Sequence, residues 1–173
     1  LGIELQAGVK VTDWMRMDAN LTLSRNKAVD FSYTDFADGD TALQSVTATT
    51  DLSLSPSVIG AAIATFVPVE NAKLQLIGKY VGKQYADNTS RECYAIDPYF
   101  LLNVKASYTW KLKGTNEIEA QLLVNNVLNH QYRLNAWVGD YFSDDPSWYG
   151  YYHDRAWLQQ PGINLMGRII YRF

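Results

Sequence analysis

Strict alternation of apolar and polar residues over segments of about ten residues is the feature that most limits what this chain can fold into. From Met15 to Ser24 every odd position is apolar and every even position is polar. Successive side chains of a β-strand point to opposite faces, so this period predicts a strand with one apolar and one polar face. The same alternation extends over residues 3–12, 102–112, 118–125 and 163–173, with Leu123, Met166 and Ile170 as apolar exceptions on the polar face.

Two further segments predict strands with a less regular pattern. Residues 58–67 are apolar on both faces, and residues 73–83 alternate lysine or glutamine with apolar residues. The sequence thus predicts about seven strands, no helix and an all-β fold. Tight turns are expected at residues 13–14, 70–72 and 114–116, and long connections without strands at residues 28–56, 85–98 and 133–161.

Alternation alone fits a soluble sandwich or a lipocalin-like barrel as well as a transmembrane β-barrel. Strands of about ten residues match the length that crosses a bilayer obliquely. Long connections alternating with short turns are typical of outer-membrane barrels. Aromatic residues end several of the apolar faces, as they do in membrane girdles: Trp14, Tyr80, Tyr108, Trp110, Tyr171 and Phe173. The polar face carries charges that suit a wet lumen: Glu4, Lys10, Arg16, Asp18, Lys79, Lys105, Glu119 and Arg168. We therefore favour an antiparallel transmembrane β-barrel.

Composition excludes several other classes. A chain that is 47% hydrophobic and 13% aromatic with a net charge of -3 does not have the composition of a disordered protein. Cys93 is the only cysteine, so a disulfide scaffold is excluded, and a partner cysteine would have to lie outside these residues. A pI of about 5.3 argues against a nucleic-acid partner. No apolar run reaches the roughly 20 residues of a transmembrane helix.

The predicted long connections are more acidic than the rest of the chain. The three long connections contain twelve acidic residues but only three bases, Arg91, Arg133 and Arg155. One interpretation is that solvated loops are often acidic. The other is a surface that gathers cationic or metal-bearing ligands, or the divalent ions that bridge lipopolysaccharide.

Several motifs resemble those of TonB-dependent outer-membrane receptors. The run from Asn126 to Tyr132 (NVLNHQY), followed by a long loop and Pro161-Gly162, is similar to that family's penultimate and last strands. Gly2-Ile3-Glu4 with Trp14 and the segment 79–88 resemble further strands of the family. The last seven residues, with Tyr171 and the terminal Phe173, resemble the signal read by the outer-membrane assembly machinery.

The resemblance implies that residues 1–173 form about the last seven strands of a roughly 22-stranded barrel. The plug domain and earlier strands would lie outside these residues. Whether the chain is a fragment or one part of a split receptor stays open. The implied location is the bacterial outer membrane. The implied partners are lipid and lipopolysaccharide, the plug and the N-terminal strands, the TonB complex and a lipoprotein lid.

The implied function is active uptake of a scarce, large ligand, without enzymatic chemistry or a cofactor. The ligand could be an iron-siderophore, haem, cobalamin, a glycan or a peptide. Two alternatives come from other classes. A passive porin or adhesive barrel would lack a plug, and an outer-membrane enzyme would need a nucleophile, a base and an orienting group at the wall.

Aromatic residues are concentrated between residues 137 and 157, where rings could stack on a ligand or pack the loop against its neighbours. The candidate ligand-binding residues are Trp137, Tyr141, Trp148, Tyr149, Tyr151, Tyr152 and His153.

The other polar residues are expected to have mainly structural roles. The only other histidine, His130, is expected to be structural, so no multi-histidine metal site is predicted. Asp140, Asp144 and Asp145 are interpreted as a solvated acidic turn rather than a calcium site. Two roles remain open for the polar-face bases, contact with the plug or pairing with neighbouring acids: Arg16, Lys79, Lys105 and Arg168.

Overall fold

A computed structural model describes all of residues 1–173, and its regular secondary structure is almost entirely antiparallel β-strand. In chain order the strands are β1 (Gly2–Lys10), β2 (Met15–Ser24), β3 (Lys27–Asp35), β4 (Gln44–Asp51), β5 (Val58–Val69), β6 (Ala72–Val81), β7 (Gln84–Tyr85), β8 (Ala95–Ile96), β9 (Tyr99–Lys111), β10 (Glu117–Asn125), β11 (Arg133–Ser143), β12 (Gly150–Gln159) and β13 (Asn164–Arg172). A single 3-10 turn spans Glu92–Tyr94. The structure has no helix long and apolar enough to cross a membrane.

Seven of these strands form one sheet in the order β1-β2-β5-β6-β9-β10-β13. They correspond to the seven predicted segments, so the all-β antiparallel fold is confirmed. The sheet does not close on itself: β1 and β13 are its edges, and each pairs on one side only. All tight turns lie at one end of the sheet and all long connections at the other.

The expectation that the long connections lack strands was wrong. Each contains an antiparallel hairpin, formed by β3 with β4, β7 with β8, and β11 with β12. Hydrophobicity does not alternate over the full length of these hairpins: both faces of Arg133–Ser143 mix polar and aromatic residues, and in Lys27–Asp35 only residues 29–34 alternate. The period-two signal is therefore absent or short even though the backbone is extended.

The strand register produces one uninterrupted apolar face across the seven-stranded sheet. Leu5 lies opposite Leu21, which lies opposite Gly60 on the next strand, and at the other edge Val124 lies between Val104 and Leu165. No second layer covers this face, and only 11 of the 173 residues are buried. The apolar face is consequently open across its whole width.

The opposite face is polar and mainly basic. It carries eight bases and four acids, namely Lys10, Arg16, Lys73, Lys79, Lys105, Lys111, Arg168 and Arg172 with Glu4, Asp18, Glu117 and Glu119. Arg16 donates to Asp18 over 2.8 Å, and Arg172 donates to Glu119 over 2.7 Å. Lys79, Lys105 and Arg168 form no ion pair, since no carboxylate lies within 4.0 Å of them.

Aromatic side chains border the apolar face at both ends. At the turn end the ring pairs are Trp14 with Phe66, Tyr108 with Trp110, and Tyr171 with Phe173. At the loop end Tyr80 lies opposite Phe100. Tyr108 and Phe100 are eight residues apart on β9, which places the two borders roughly 27 Å apart along the strand.

Candidate functional site

The three long connections meet around the side chain of Arg91, which is only 8% exposed. Its Nε donates to Asp35 Oδ1 at 3.1 Å, and its Nη1 donates to both carboxylate oxygens of Asp140 at 3.1 and 3.2 Å. Its Nη2 donates to the backbone carbonyl of Thr34. One guanidinium group therefore joins β3, the segment before the 3-10 turn, and β11.

Aromatic rings surround this guanidinium. The rings of Tyr33, Phe36 and Tyr94 have their centroids 5.4, 5.4 and 5.8 Å from Arg91 Cζ. Tyr94 is buried, and its hydroxyl lies 2.6 Å from Asp140 Oδ1 and 3.0 Å from the Gly139 carbonyl. Burial, followed by the hydrogen bond to the Asp140 carboxylate, raises the pKa of Tyr94 well above its usual range. This tyrosine stays neutral and serves as a donor.

A second connection joins residue 38 to β12. The backbone N–H of His153 donates to Asp38 Oδ1 at 2.9 Å, and its ring Nδ1 lies 2.7 Å from the same oxygen. These contacts, the backbone hydrogen bond first, lower the pKa of Asp38. The imidazole stacks on Phe36 with centroids 4.4 Å apart, and its Nε2 is buried without a hydrogen-bond partner.

The backbone strengthens this connection at two glycines. Gly39 N–H donates to the Tyr151 carbonyl, and Tyr151 N–H donates to the Asp40 carbonyl, both at 2.8 Å. Gly150 has φ of 136°, and a Cβ on it would lie 2.5 Å from the Gly39 carbonyl oxygen. A side chain at Gly150 would therefore push the two segments apart.

The predicted aromatic ligand-binding residues are divided between the two faces of the β11–β12 hairpin. One face carries a row that we call the aromatic platform, consisting of the exposed Trp137, Tyr141 and Trp148 and the half-buried Tyr152. The Tyr141 and Tyr152 rings stack 5.7 Å apart, and Trp148 is 6.4 Å from Tyr152. Trp137 is 60% exposed and Trp148 67% exposed. The platform can therefore offer ring faces to a ligand.

The remaining predicted residues are held inside the loop assembly or at its border. Tyr151 lies 5.4 Å from Phe36 and 4.8 Å from Phe142, and His153 is on the same face. Tyr149 packs edge-on against Phe142 at 5.2 Å. The structure thus brings together four of the seven predicted residues as one exposed surface and gives Tyr151 and His153 packing contacts instead.

The three predicted acidic residues do not form one unit. Asp140 binds Arg91 and Tyr94, whereas Asp145 lies at the hairpin tip and accepts a hydrogen bond from Ser147 N–H at 2.8 Å. The interpretation of Asp140 as part of a turn was wrong, because it lies within β11 and pairs with Arg91, 49 residues away in the chain. Its side chain is still 37% exposed to solvent. The structure contains no group of three or more histidine, cysteine, aspartate or glutamate residues that could hold a metal ion.

The motif NVLNHQY forms the turn between β10 and β11 and is hydrogen-bonded to the segment just before β13. Asn126 is buried with φ of 50°, receives a backbone hydrogen bond from His130, and donates to the carbonyls of His130 and Pro161. Asn129, with φ of 49°, accepts from Ile163 N–H at 3.0 Å. Tolerance of left-handed backbone and a side-chain amide are both typical of asparagine in turns. The spacing of this motif therefore has a structural cause.

Comparison with models of known protein families and with curated proteins gave no match.

Sequence reasoning missed Arg91, the residue that organises the loops. The available signal was its position as the only base between residues 85 and 98, among three acids. Cys93, two residues later, is a free thiol whose pKa is raised by burial. Neither residue belongs to a motif of regular spacing.

Proposed function

We propose that this chain forms part of the wall and outer loops of a bacterial outer-membrane receptor that takes up a scarce, large ligand with energy supplied through TonB. The observation that carries the proposal is the open apolar face backed by a charged face over seven strands. Monomeric soluble proteins rarely expose a contiguous apolar patch larger than a few hundred Å². Ile169 is 80% exposed and Leu165 67% exposed, and both lie on this face. An apolar face of this size is stable when it contacts the lipid of a membrane.

The two open edges support further strands beyond β1 and β13. An unpaired backbone edge cannot lie in hydrocarbon, because each unsatisfied N–H and C=O group costs several kcal/mol there. Closing the wall would bring the polar, mainly basic face to the inside. Lys79, Lys105 and Arg168, which have no partner in this chain, would then be available to a plug domain or to lumen water.

The loop architecture favours a receptor over a passive porin or an adhesive barrel. Hairpins that are tied together through Arg91 form one fixed surface, and the aromatic platform lies on it. Rings held in this way bring large contact area at a low entropic cost. Together with the motif NVLNHQY and its contacts to Pro161 and Ile163, these features support ligand capture at the outer end of a TonB-dependent barrel.

The test uses the full-length protein isolated from outer membranes. Small molecules that co-purify with it are identified by mass spectrometry, and the labelled compound is then offered to cells with and without TonB. We expect both strains to bind it and only the TonB-containing strain to accumulate it. Equal accumulation in both strains would instead indicate a passive channel, and binding without accumulation in either strain an adhesive surface.

A further inference from the structure

Two bases of the long connections that form no ion pair line one cleft on the acidic loop side. This cleft, of about 440 Å³, lies between β12 and the segment 92–97, and Lys83, Arg133, Arg155 and Trp157 contribute to its lining. Of the three bases in the long connections, Arg91 is bonded internally to two aspartates. The other two, Arg133 and Arg155, both lie in this cleft and form no ion pair.

No neighbouring acid forms an ion pair with either of these two guanidinium groups, although Asp38 interacts electrostatically with Arg155 at longer range. Glu92 is bound to Lys83, whose Nζ lies 2.7 Å from both carboxylate oxygens, and it also accepts from Tyr85 at 3.0 Å. Asp97 lines the cleft but is exposed and pairs with neither arginine. A local excess of positive charge therefore persists within loops that are acidic elsewhere.

Trp157 fixes the position of Arg133. The guanidinium carbon lies 4.5 Å from the centre of the indole ring, and no protein group accepts a hydrogen bond from this side chain. Stacking on an aromatic face holds a guanidinium in place and leaves its N–H groups free for a planar oxyanion. Arg155 is two residues before Trp157 on β12, so both share one face of that strand.

A second, smaller cleft adjoins the first. It has a volume of about 160 Å³, shares Asp97 and Arg133 with the larger cleft, and is also lined by Tyr99 and His130. Arg133 therefore borders both clefts.

We propose that this cleft binds a carboxylate group on a ligand with a flat, unsaturated portion. Arg133 and Arg155 hold the carboxylate, and the exposed part of Trp157 contacts the flat portion. The acidic loops therefore surround a site for an anion, contrary to the expectation of a cationic ligand. The conclusion that a transported ligand carries this carboxylate rests on the proposed receptor function. The conclusion that the cleft binds a carboxylate does not depend on that function.

The experiment measures benzoate and benzylamine binding to the full-length protein in a non-ionic detergent by saturation-transfer NMR. R133Q and R155Q are compared with R25Q, which makes the same charge change at an exposed residue outside the cleft. We expect R133Q and R155Q each to weaken benzoate binding about tenfold, with benzylamine binding unchanged and R25Q without effect on either compound. Heat-modifiable migration in gels confirms that each variant is assembled.

Two results would overturn the inference: no benzoate binding to the unaltered protein, or benzoate binding to R133Q and R155Q equal to that of R25Q. Failure of the transport proposal is separate, because TonB-independent accumulation would leave the benzoate result as it stands. Loss of benzoate binding in either arginine variant, with transport absent, would establish an anion site without a transporter.

Discussion

Arg91 and Asp140 lie 49 residues apart in the chain, yet two hydrogen bonds of 3.1 and 3.2 Å join them. The same guanidinium reaches Asp35 on β3. The three long connections are consequently one assembly, and removal of this single group would leave the carboxylates of Asp35 and Asp140 without the counter-charge that joins them.

Replacing Arg91 with Met should release the loops and leave the wall assembled. We expect proteinase K to cut within residues 28–56 or 133–161 at least about tenfold faster, because opening free energies of loops fall when a shared buried partner is lost. Arg155→Met is the matched control, since Arg155 forms no ion pair. Equal cleavage rates for the two variants would show that Arg91 does not hold the assembly together.

The contact of Asp38 with His153 should be sensitive to acid. The pKa of Asp38 is lowered in the folded state, so its stabilisation is present above the unfolded pKa, near 3.9, and is lost as the pH falls through the lower folded pKa. Amide exchange in residues 36–43, corrected for its intrinsic pH dependence, should increase below about pH 4. D38N should show fast exchange at neutral pH and no such acid transition; a transition of the same size in D38N would assign it to another group.

Asn126 should be the most sensitive polar residue of the turn before β11. Asn126→Ala removes the buried hydrogen bonds of the side-chain amide. It also places alanine, which tolerates left-handed backbone less well than asparagine, at φ of 50°. Together the two effects should lower the free energy of unfolding by about 2–4 kcal/mol. Asn126→Gly loses the hydrogen bonds but tolerates the backbone, so it should be less destabilising. The measurement is the temperature of heat-modifiable unfolding in gels, with the wall variant Asn20→Ala as the control. An Ala variant as stable as the Gly variant would contradict the backbone contribution.

The aromatic platform and the inner aromatic residues should differ in their effects on binding. The double variant Y141A/W148A should weaken binding of the co-purified ligand by about tenfold or more, with loop proteolysis unchanged. Tyr151→Ala, in contrast, should accelerate loop proteolysis because Tyr151 packs on Phe36 and Phe142. Undiminished equilibrium binding by Y141A/W148A would exclude the platform as a contact surface.

Alternation was sufficient to predict the wall strands, because one face of each is uniformly apolar and period two is then visible in the sequence. It failed for Arg133–Ser143, whose faces are sorted by tertiary partners rather than by hydrophobicity. In Lys27–Asp35 the alternation covers only residues 29–34, which is shorter than in the wall strands. The aromatic density near residue 148 predicted a cluster of rings. It could not separate Tyr152 from Tyr151, since one residue of strand register decides which face each ring occupies.

The role of Arg91 could not be predicted from the sequence for a related reason. Its partners Asp35 and Asp140 are remote in the chain, and their approach depends on how three hairpins pack. Local sequence patterns predict the periodicity of a single strand or helix. The cluster around Arg91 depends on contacts between strands that are distant in the chain.

The most direct test of the lipid-facing wall is the environment of single side chains along β9. Single cysteines at residues 102–109, in full-length protein with Cys93 replaced by Ala, are spin-labelled after reconstitution into bilayers. Collision with oxygen is then compared with collision with a water-soluble nickel chelate. We expect high oxygen and low nickel accessibility at 102, 104, 106 and 108 and the reverse at 103, 105, 107 and 109. Absence of this period-two alternation, or nickel accessibility on both faces, would contradict a membrane-spanning wall.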